Sequence, residues 1–284
     1  MENILIVDGN NLLFQMFYGM PSKIYNKSGK TIHATIGFIS ALMRLNTLVD
    51  ASRIIVVFDK DCSEERKNQY QEYKTNRIDN WDELPEDEVP FNEEENICKC
   101  LDYLNIKYLP STNMEADDLI ASLVYLYKDE NKVYVSSYDS DFFQLIDENV
   151  SIIRYKGKST KIFDKNAFFE KFGFLPGKYV FYKSLTGDSA DNIKGFSQIG
   201  PKRASKIVNQ TDSFKDFIDK VFEILPDKLA NLVLNEKEKY KLNENLIMLR
   251  YKEEIRYPLE MFVFDKDKIK QTNSYILSAN RVFD

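Results

Sequence analysis

The sequence predicts an α/β domain with a central, mostly parallel sheet, followed by a mainly helical domain. Three observations carry that reading. Short β-branched runs alternate with stretches whose apolar residues recur at helical spacing throughout the first half. The alternation stops at the turn-like FGFLPG, Phe172–Gly177. Beyond it the chain is rich in Lys, Glu and Asn, with opposite charges at helical-neighbour spacing in NEKEKYKLNENLIMLR. The boundary therefore falls near residue 175, which gives domains 1–175 and 176–284.

ILIV (Ile4–Val7) is the first predicted strand, RIIVVF (Arg53–Phe58) the second, KVYVSS (Lys132–Ser137) the third and SIIRY (Ser151–Tyr155) a weaker fourth. ATIGFISALMRLNTLV and DDLIASLVYLY lie between them with helical periodicity. Strand, helix, strand in repetition is the pattern of a parallel sheet with helical crossovers. EERKNQYQEYKTNR predicts a further helix, and Pro85 and Pro90 in LPEDEVPF break any helical continuation of it. No internal repeat and no low-complexity linker interrupts the chain.

At 284 residues the chain is long enough to bury a substantial core. Its 43% hydrophobic and 30% charged residues exclude a disordered chain. The longest apolar runs are too short to span a bilayer, so no membrane partner is expected. The start, MENILIVDGNN, lacks a basic region and a small-residue cleavage site, and a cytoplasmic protein is expected. Cys98 and Cys100 have no second pair or nearby histidine to complete a zinc site. The lone His33 excludes any mechanism that needs two histidines.

The net charge of −6 argues against a nucleic-acid partner only if charge is evenly spread. It is not. Between Asp79 and Glu95 lie nine acids and no Lys or Arg, whereas Asn192–Thr211 holds Lys194, Lys202, Arg203 and Lys206 and no acid. Because charges beyond about 10 Å are largely screened, a local basic segment acts on its own.

Three predicted strands end in acid: ILIV in Asp8, IIVVF in Asp59, and VYVSSY in Asp139 and Asp141. Carboxyl ends of parallel strands share one edge, where open α/β folds bind ligands. NMEADDL adds Glu115 and Asp118 on one helical face, with Asp117 beside them, and LTGDSADN adds Asp188 and Asp191 on one face of a helical turn. Each group alone reads equally as a helix cap. Nine converging carboxylates without an interleaved base need cations, and hard oxygen ligands select Mg²⁺ or Mn²⁺. Two such ions support phosphodiester hydrolysis, and no Ser-His-Asp set, P-loop lysine motif or G-x-G-x-x-G suggests another chemistry.

Arg66, Tyr70, Tyr73, Lys74 and Arg77 interleave cations and aromatics, a pattern for gripping phosphates and stacking on bases, or for a solvated amphipathic helix. In IKGFSQIGPKRASKIV a glycine-containing turn leads through Gly200 and Pro201 into a basic helix start. That is a helix-hairpin-helix signal, offering backbone N–H groups and lysines to phosphates without reading bases.

Taken in order, IVDGNNL, VVFD, YKTNR, EADD, YDSD, LTGDSADN and IGPKRASKI resemble the bacterial and phage 5′-nuclease family over nearly the whole chain, to about residue 255. That family comprises flap endonucleases, 5′–3′ exonucleases and the N-terminal nuclease domain of DNA polymerase I. The resemblance implies a PIN-like nuclease domain with a helical arch, here about residues 62–105, and a helix-hairpin-helix domain gripping duplex DNA. It implies a two-metal, Mg²⁺-dependent enzyme of replication and repair that cleaves DNA near single-strand/duplex junctions. Asp8, Asp59, Glu115, Asp117 and Asp139 then correspond to the first metal site. Asp141, Asp188 and Asp191 correspond to the second, with Asp118 nearby. Lys74 and Arg77 resemble the arch cations at the scissile phosphate, and Tyr73 the residue stacking on the adjacent base. Arg66, Tyr70, Lys194, Gly200, Lys202, Arg203 and Lys206 are the expected DNA contacts, and the arch is expected to be mobile.

Two positions depart from the family pattern. Glu65 stands where Phe is usual, which alters the expected arch packing. Gln198 replaces the first glycine of Gly-Ile-Gly in the hairpin, at the turn whose carbonyls would hold K⁺. No polymerase segment follows, so a stand-alone nuclease or a fragment is expected, acting as a monomer. The rival readings are a nuclease of the same fold that removes RNA primers from RNA–DNA hybrids, and a non-catalytic junction-binding protein.

Overall fold

Ile4–Val7 is apolar without a break because it forms the centre of a sheet covered on both faces. A computed structural model of the chain describes residues 1–60, 66, 70–75, 80–112, 114–252 and 254–284. The sheet has the order β3-β2-β1-β4-β5-β6, with β1 Asn3–Asp8, β2 Arg53–Phe58, β3 Lys107–Pro110, β4 Lys132–Ser136, β5 Val150–Arg154 and β6 Lys161–Phe163. All neighbours are parallel except β5 and β6. In register, Val7 faces Val56 on one side and Ser136 on the other, so these strands end level at one carboxyl edge.

Side chains alternate between two cores. Leu5 and Val7 of β1 face α1 Gly9–Gly19, α2 His33–Val49 and α3 Glu94–Tyr103. Ile4 and Ile6 face α4 Ala116–Tyr127 and, in the same cluster, the aromatic-rich helices of the second half. Those helices include α5 Lys165–Phe172, α6 Tyr179–Thr186 and α7 Pro201–Gln210. Phe264, Ile276 and Leu277 return to the first core. The last segment of the chain therefore packs in space with its first half.

The four predicted strands are present. The edge strands β3 and β6 are additions: KYLP ends in proline and is largely uncovered, and KIF has only Phe163 buried. LTGDSADN is a two-stranded hairpin, Gly187–Asp188 against Ile193–Lys194, rather than a helical turn. Glycine imposes this. Gly187 has φ of +74°, and a Cβ there would lie 2.3 Å from the amide nitrogen of Gly195.

Of the predicted helix at Glu64–Arg77, residues 61–65, 67–69 and 76–79, Arg77 among them, lie outside the described residues. Gln71–Thr75 form turns, and Lys74 has φ of +56°. The acidic stretch is irregular as its prolines require: three short 3-10 turns, Trp81–Glu83, Glu86–Glu88 and Pro90–Glu93. It docks on α1 through Trp81 and Phe91, whose rings meet edge-on at 5.4 Å and lie 5.7 and 5.3 Å from that of Phe14. The buried Glu93 carboxylate accepts from the amide of Thr35 at 2.7 Å, supplying the first turn of α2 with an acceptor from outside the helix.

Candidate metal centre and nucleic-acid surface

Asp8 closes β1 and caps α1: one carboxylate oxygen accepts from the Asn11 amide at 3.1 Å, the other from the Ser137 hydroxyl at 2.7 Å. Burial pushes its pKa up to about 6, with Asp139 and Asp59 adding and the two hydrogen bonds opposing. Asp59 follows β2, accepts from Ser111 at 2.9 Å, and is also raised by burial, with Glu115 adding. Asp117, at the start of α4, is raised well above its ordinary value by burial and then by Asp139, with Asp8 and Glu115 adding. Asp8 thus feels the charges of Asp139 and Asp59, and Asp117 those of Asp139 and Asp8, so three strand ends and one helix start converge.

Asp139 also serves as a cap, accepting from the Asp141 amide at 2.8 Å. The two readings of this turn are therefore compatible: one oxygen orders the backbone, and the carboxylate still bears on Asp8, Asp117 and Asp141.

A second cluster adjoins the first. Asp141, Asp188 and Asp191 each offer a carboxylate oxygen, all within 4.8 Å of one another. Sequence reasoning missed the fourth member, Lys183 of α6, which ion-pairs with Asp141 and, at 2.5 Å, with Asp188. Its signal was a lysine inside an otherwise apolar helix, YVFYKSL. Burial opposes the Lys183 charge, but Asp141, Asp139 and Asp188 outweigh it and hold the ammonium protonated. Asp188 is kept below its ordinary value by that ammonium in spite of burial. The more deeply buried Asp141, beside Asp139, is pushed up to about 7 although it shares the same partner.

Glu115 and Asp118 share a helical face, as their spacing predicts, but that face meets Arg66. The guanidinium donates to Glu115 at 2.6 Å, to Asp118 at 2.9 Å and to the Met248 carbonyl at 3.3 Å. Arg66 is 2% exposed, so here it is an internal clamp on two carboxylates rather than a surface contact for phosphates. Asp118 also accepts from the Arg250 amide at 2.9 Å. Lys74 reaches Glu115 at 2.9 Å. Burial raises Glu115, but Lys74 and Arg66 hold it below its ordinary value.

Tyr73 is buried against Ile193, Leu246 and Ile247, with Tyr70 half-buried beside it. The segment is stapled to the second acid cluster, because the Lys74 amide donates to the Asp191 carbonyl at 3.1 Å and Asn192 Nδ2 to the Glu72 carbonyl at 3.0 Å. The exposed Lys194 pairs with Glu72 at 3.1 Å.

The basic hairpin forms as its residues require. Gln198 takes a left-handed φ of +62°, Gly200 caps α7, and Pro201 occupies the first helical position. Gly200, Pro201, Lys202, Arg203 and Lys206 line an open cavity of about 510 Å³. Three cations thus surround the start of α7, where its first amides lack partners within the helix. The Arg203 guanidinium donates to the Gln198 carbonyl, which closes the turn that the missing glycine left in question.

Against known proteins, residues 3–173 match the 5′–3′ exonuclease N-terminal resolvase-like domain and residues 174–270 the 5′–3′ exonuclease C-terminal SAM fold. A 5′–3′ exonuclease of Mycoplasmopsis pulmonis is 31% identical over 86% of this chain and 76% of that protein. DNA polymerase I of Deinococcus radiodurans is 30% identical over 86% of this chain. The chain spans only 25% of that polymerase. Among solved structures, zinc-bound 5′-exonuclease of bacteriophage T5 superposes with a TM-score of 0.71 at 24% identity, covering 98% of this chain and 99% of that one. The catalytic core of Rad2, solved with a DNA substrate, superposes with a TM-score of 0.62 at 17% identity, covering 98% and 92%. Both likenesses are of fold.

Proposed function

The chain belongs to the 5′–3′ exonuclease family, and from that premise we propose that it is a structure-specific 5′-nuclease. It hydrolyses DNA phosphodiesters near single-strand/duplex junctions. What supports the reading is a group of acids at the carboxyl ends of the parallel strands beside a second group, Asp141, Asp188 and Asp191, whose carboxylate oxygens lie within 4.8 Å of one another. Asp8, Asp59, Asp117 and Asp139 form one, with Glu115 at its margin, and Asp141, Asp188 and Asp191 form the other.

The residues fit divalent cations. The donors are hard carboxylate oxygens, and Asp141, Asp188 and Asp191 bring theirs within 4.8 Å of one another. Mg²⁺ is the ion we assign, with Mn²⁺ as substitute. When bound, such a pair activates water and stabilises the leaving oxygen of an in-line displacement. Asp8, Asp59, Glu115, Asp117 and Asp139 would hold one ion, and Asp141, Asp188 and Asp191 the other, with Asp118 orienting Arg66 beside them.

Lys74, from its place on Glu115, neutralises the phosphate at the point of attack, and Arg77 acts with it. Tyr73 stacks on the adjacent base once it leaves its buried seat. Gly200, Lys202, Arg203 and Lys206 hold the duplex by its backbone, with Lys194 and Tyr70 at its border. K⁺ at the hairpin would have to share the Gln198 carbonyl with Arg203. The two domains, divided near residue 175, act within a single chain on a DNA with a 5′ flap or 5′ end.

The test is cleavage of a 5′-labelled flap with Mg²⁺, with EDTA, and beside an RNA-containing version. Metal-dependent release of the flap is expected. Binding without cleavage in Mg²⁺ or Mn²⁺ would overturn the reading, and faster release of RNA would shift the substrate to primers.

A further inference from the structure

In the motif IVDGNNL the three residues after Asp8 each meet a neighbouring strand end. Gly9 opens α1 against β2: a Cβ there would lie 2.7 Å from the Phe58 ring and 2.8 Å from the Val57 carbonyl. Lacking one, the first turn of α1 settles onto the end of β2. Asn10 and Asn11 follow, and consecutive helical side chains point about 100° apart, so their amides diverge. Asn10 Oδ1 accepts from the Asp59 amide at 2.8 Å, just beyond β2. Asn11 Oδ1 accepts from the Tyr138 amide at 3.0 Å, just beyond β4, while its own backbone amide donates to Asp8 at 3.1 Å.

Both backbone N–H groups lie past the last ladder pairs of their strands, where sheet partners run out. A backbone N–H only donates, so each side-chain amide turns its oxygen toward the strand end. A carboxylate would accept equally well, but it would add charge beside Asp8, Asp59 and Asp117, whose values burial and neighbouring acids already raise. Asparagine supplies the acceptor without the charge. The same turns are tied a second time. Ser111 Oγ donates to Asp59 at 2.9 Å, and Ser137 Oγ accepts from the Asp139 amide at 3.0 Å while donating to Asp8 at 2.7 Å. Because β1 lies between β2 and β4, one helical turn fixes the Asp59 turn on one side of Asp8 and the Asp139 turn on the other.

We propose that Asn10 and Asn11 are positioning residues for the metal centre, which set the spacing of Asp59 and Asp139 about Asp8 by holding the backbone of the turns that carry them. Their role rests on the metal-dependent nuclease reading for the ion itself. Groups that orient metal ligands from behind are typically worth about 10–100-fold in metal affinity or activity. A purely architectural role would instead lower stability and leave the response to metal as it was.

Asn10→Leu and Asn11→Leu remove the acceptor at nearly constant size. Asn273→Ala is the comparison for stability alone, since Asn273 donates to Ser40 of α2 at 2.6 Å, away from the acids. Binding of Mn²⁺ to the free protein, read from the EPR signal of unbound Mn²⁺, should weaken about tenfold or more in Asn10→Leu and in Asn11→Leu. In Asn273→Ala it should stay unchanged, whatever melting temperature that variant loses. The Mg²⁺ concentration that half-saturates single-turnover flap cleavage should rise by a similar factor in the two leucine variants, with flap affinity in EDTA unchanged. Parental Mn²⁺ affinity in either leucine variant overturns the role of that asparagine, and an equal loss in Asn273→Ala overturns both. Where circular dichroism shows a leucine variant unfolded, Asn10→Ala or Asn11→Ala is judged by the same outcomes. If the unaltered chain takes up Mn²⁺ but never cleaves the flap, the nuclease reading fails while the Mn²⁺ affinities still judge the asparagines.

Discussion

The Lys183 ammonium lies 2.5 Å from a carboxylate oxygen of Asp188 and also contacts Asp141, with Lys183 only 4% exposed. An internal cation thus stands among the three acids that would hold the second ion. In Lys183→Met those acids lose their counter-charge while the hydrophobic stem is kept. Metal-free stability should fall by about 3–5 kcal/mol, the usual effect of breaking a buried pair. Mn²⁺ should restore more stability to the variant than to the parent, because it meets no competitor. Urea denaturation with and without Mn²⁺ measures both, and equal Mn²⁺ stabilisation in the two proteins would count against the shared site.

Asp8→Asn keeps the cap on Asn11 and the Ser137 contact but removes a charge that burial penalises. At pH 8 without metal the variant should be more stable than the parent by about 1–3 kcal/mol. Flap cleavage should drop by orders of magnitude. A less stable variant would show that Asp8 serves the fold rather than the site.

The same shifts set a pH dependence. Asp8 at about 6 and Asp141 at about 7 stand above their ordinary value of 3.8. Across that window the folded chain holds protons that the unfolded chain has released. The stability from these two groups is complete below about pH 4 and is lost as pH rises toward 7. Glu115 and Asp188, whose values are lowered, act in the opposite sense and only below the ordinary carboxylate range. Metal-free melting temperature should therefore decline from pH 5 to pH 8, and Mg²⁺ should stabilise more at pH 8. Calorimetric melts at both pH values decide this.

Arg66→Met removes the clamp on Glu115 and Asp118 and leaves two buried carboxylates without it. The expected destabilisation is about 3–5 kcal/mol, read by chemical denaturation. A change below about 0.5 kcal/mol would mean that the clamp is no stronger than a surface pair.

The strands, and the place of Asp8, Asp59 and Asp139 at their carboxyl ends, were legible because period-2 and continuous apolar runs report local geometry, and parallel topology carries those ends to one edge. What resisted reading depends on long-range pairing. The similar spacing of Glu115, Asp117 and Asp118 did not reveal that two of them serve Arg66 while the third faces Asp8 and Asp139. Lys183 looked like one lysine among many until the fold set it between Asp141 and Asp188. Tyr73 and Arg66 were read as surface groups from their alternation, which burial by a distant segment around Leu246 and Met248 overrode. The strand KYLP escaped because an uncovered edge needs no apolar pattern.

The docking of the acidic stretch on α1 supplies the protein with its own optical probe. Trp81 is the chain's only tryptophan, and its ring sits edge-on to Phe91 and beside Phe14, six residues past Asp8. Tryptophan emission from unlabelled protein therefore reports whether this stretch stays seated on α1 or lifts into solvent. A red shift on adding flap DNA, with its rate followed by stopped flow, would time that lift against the chemistry.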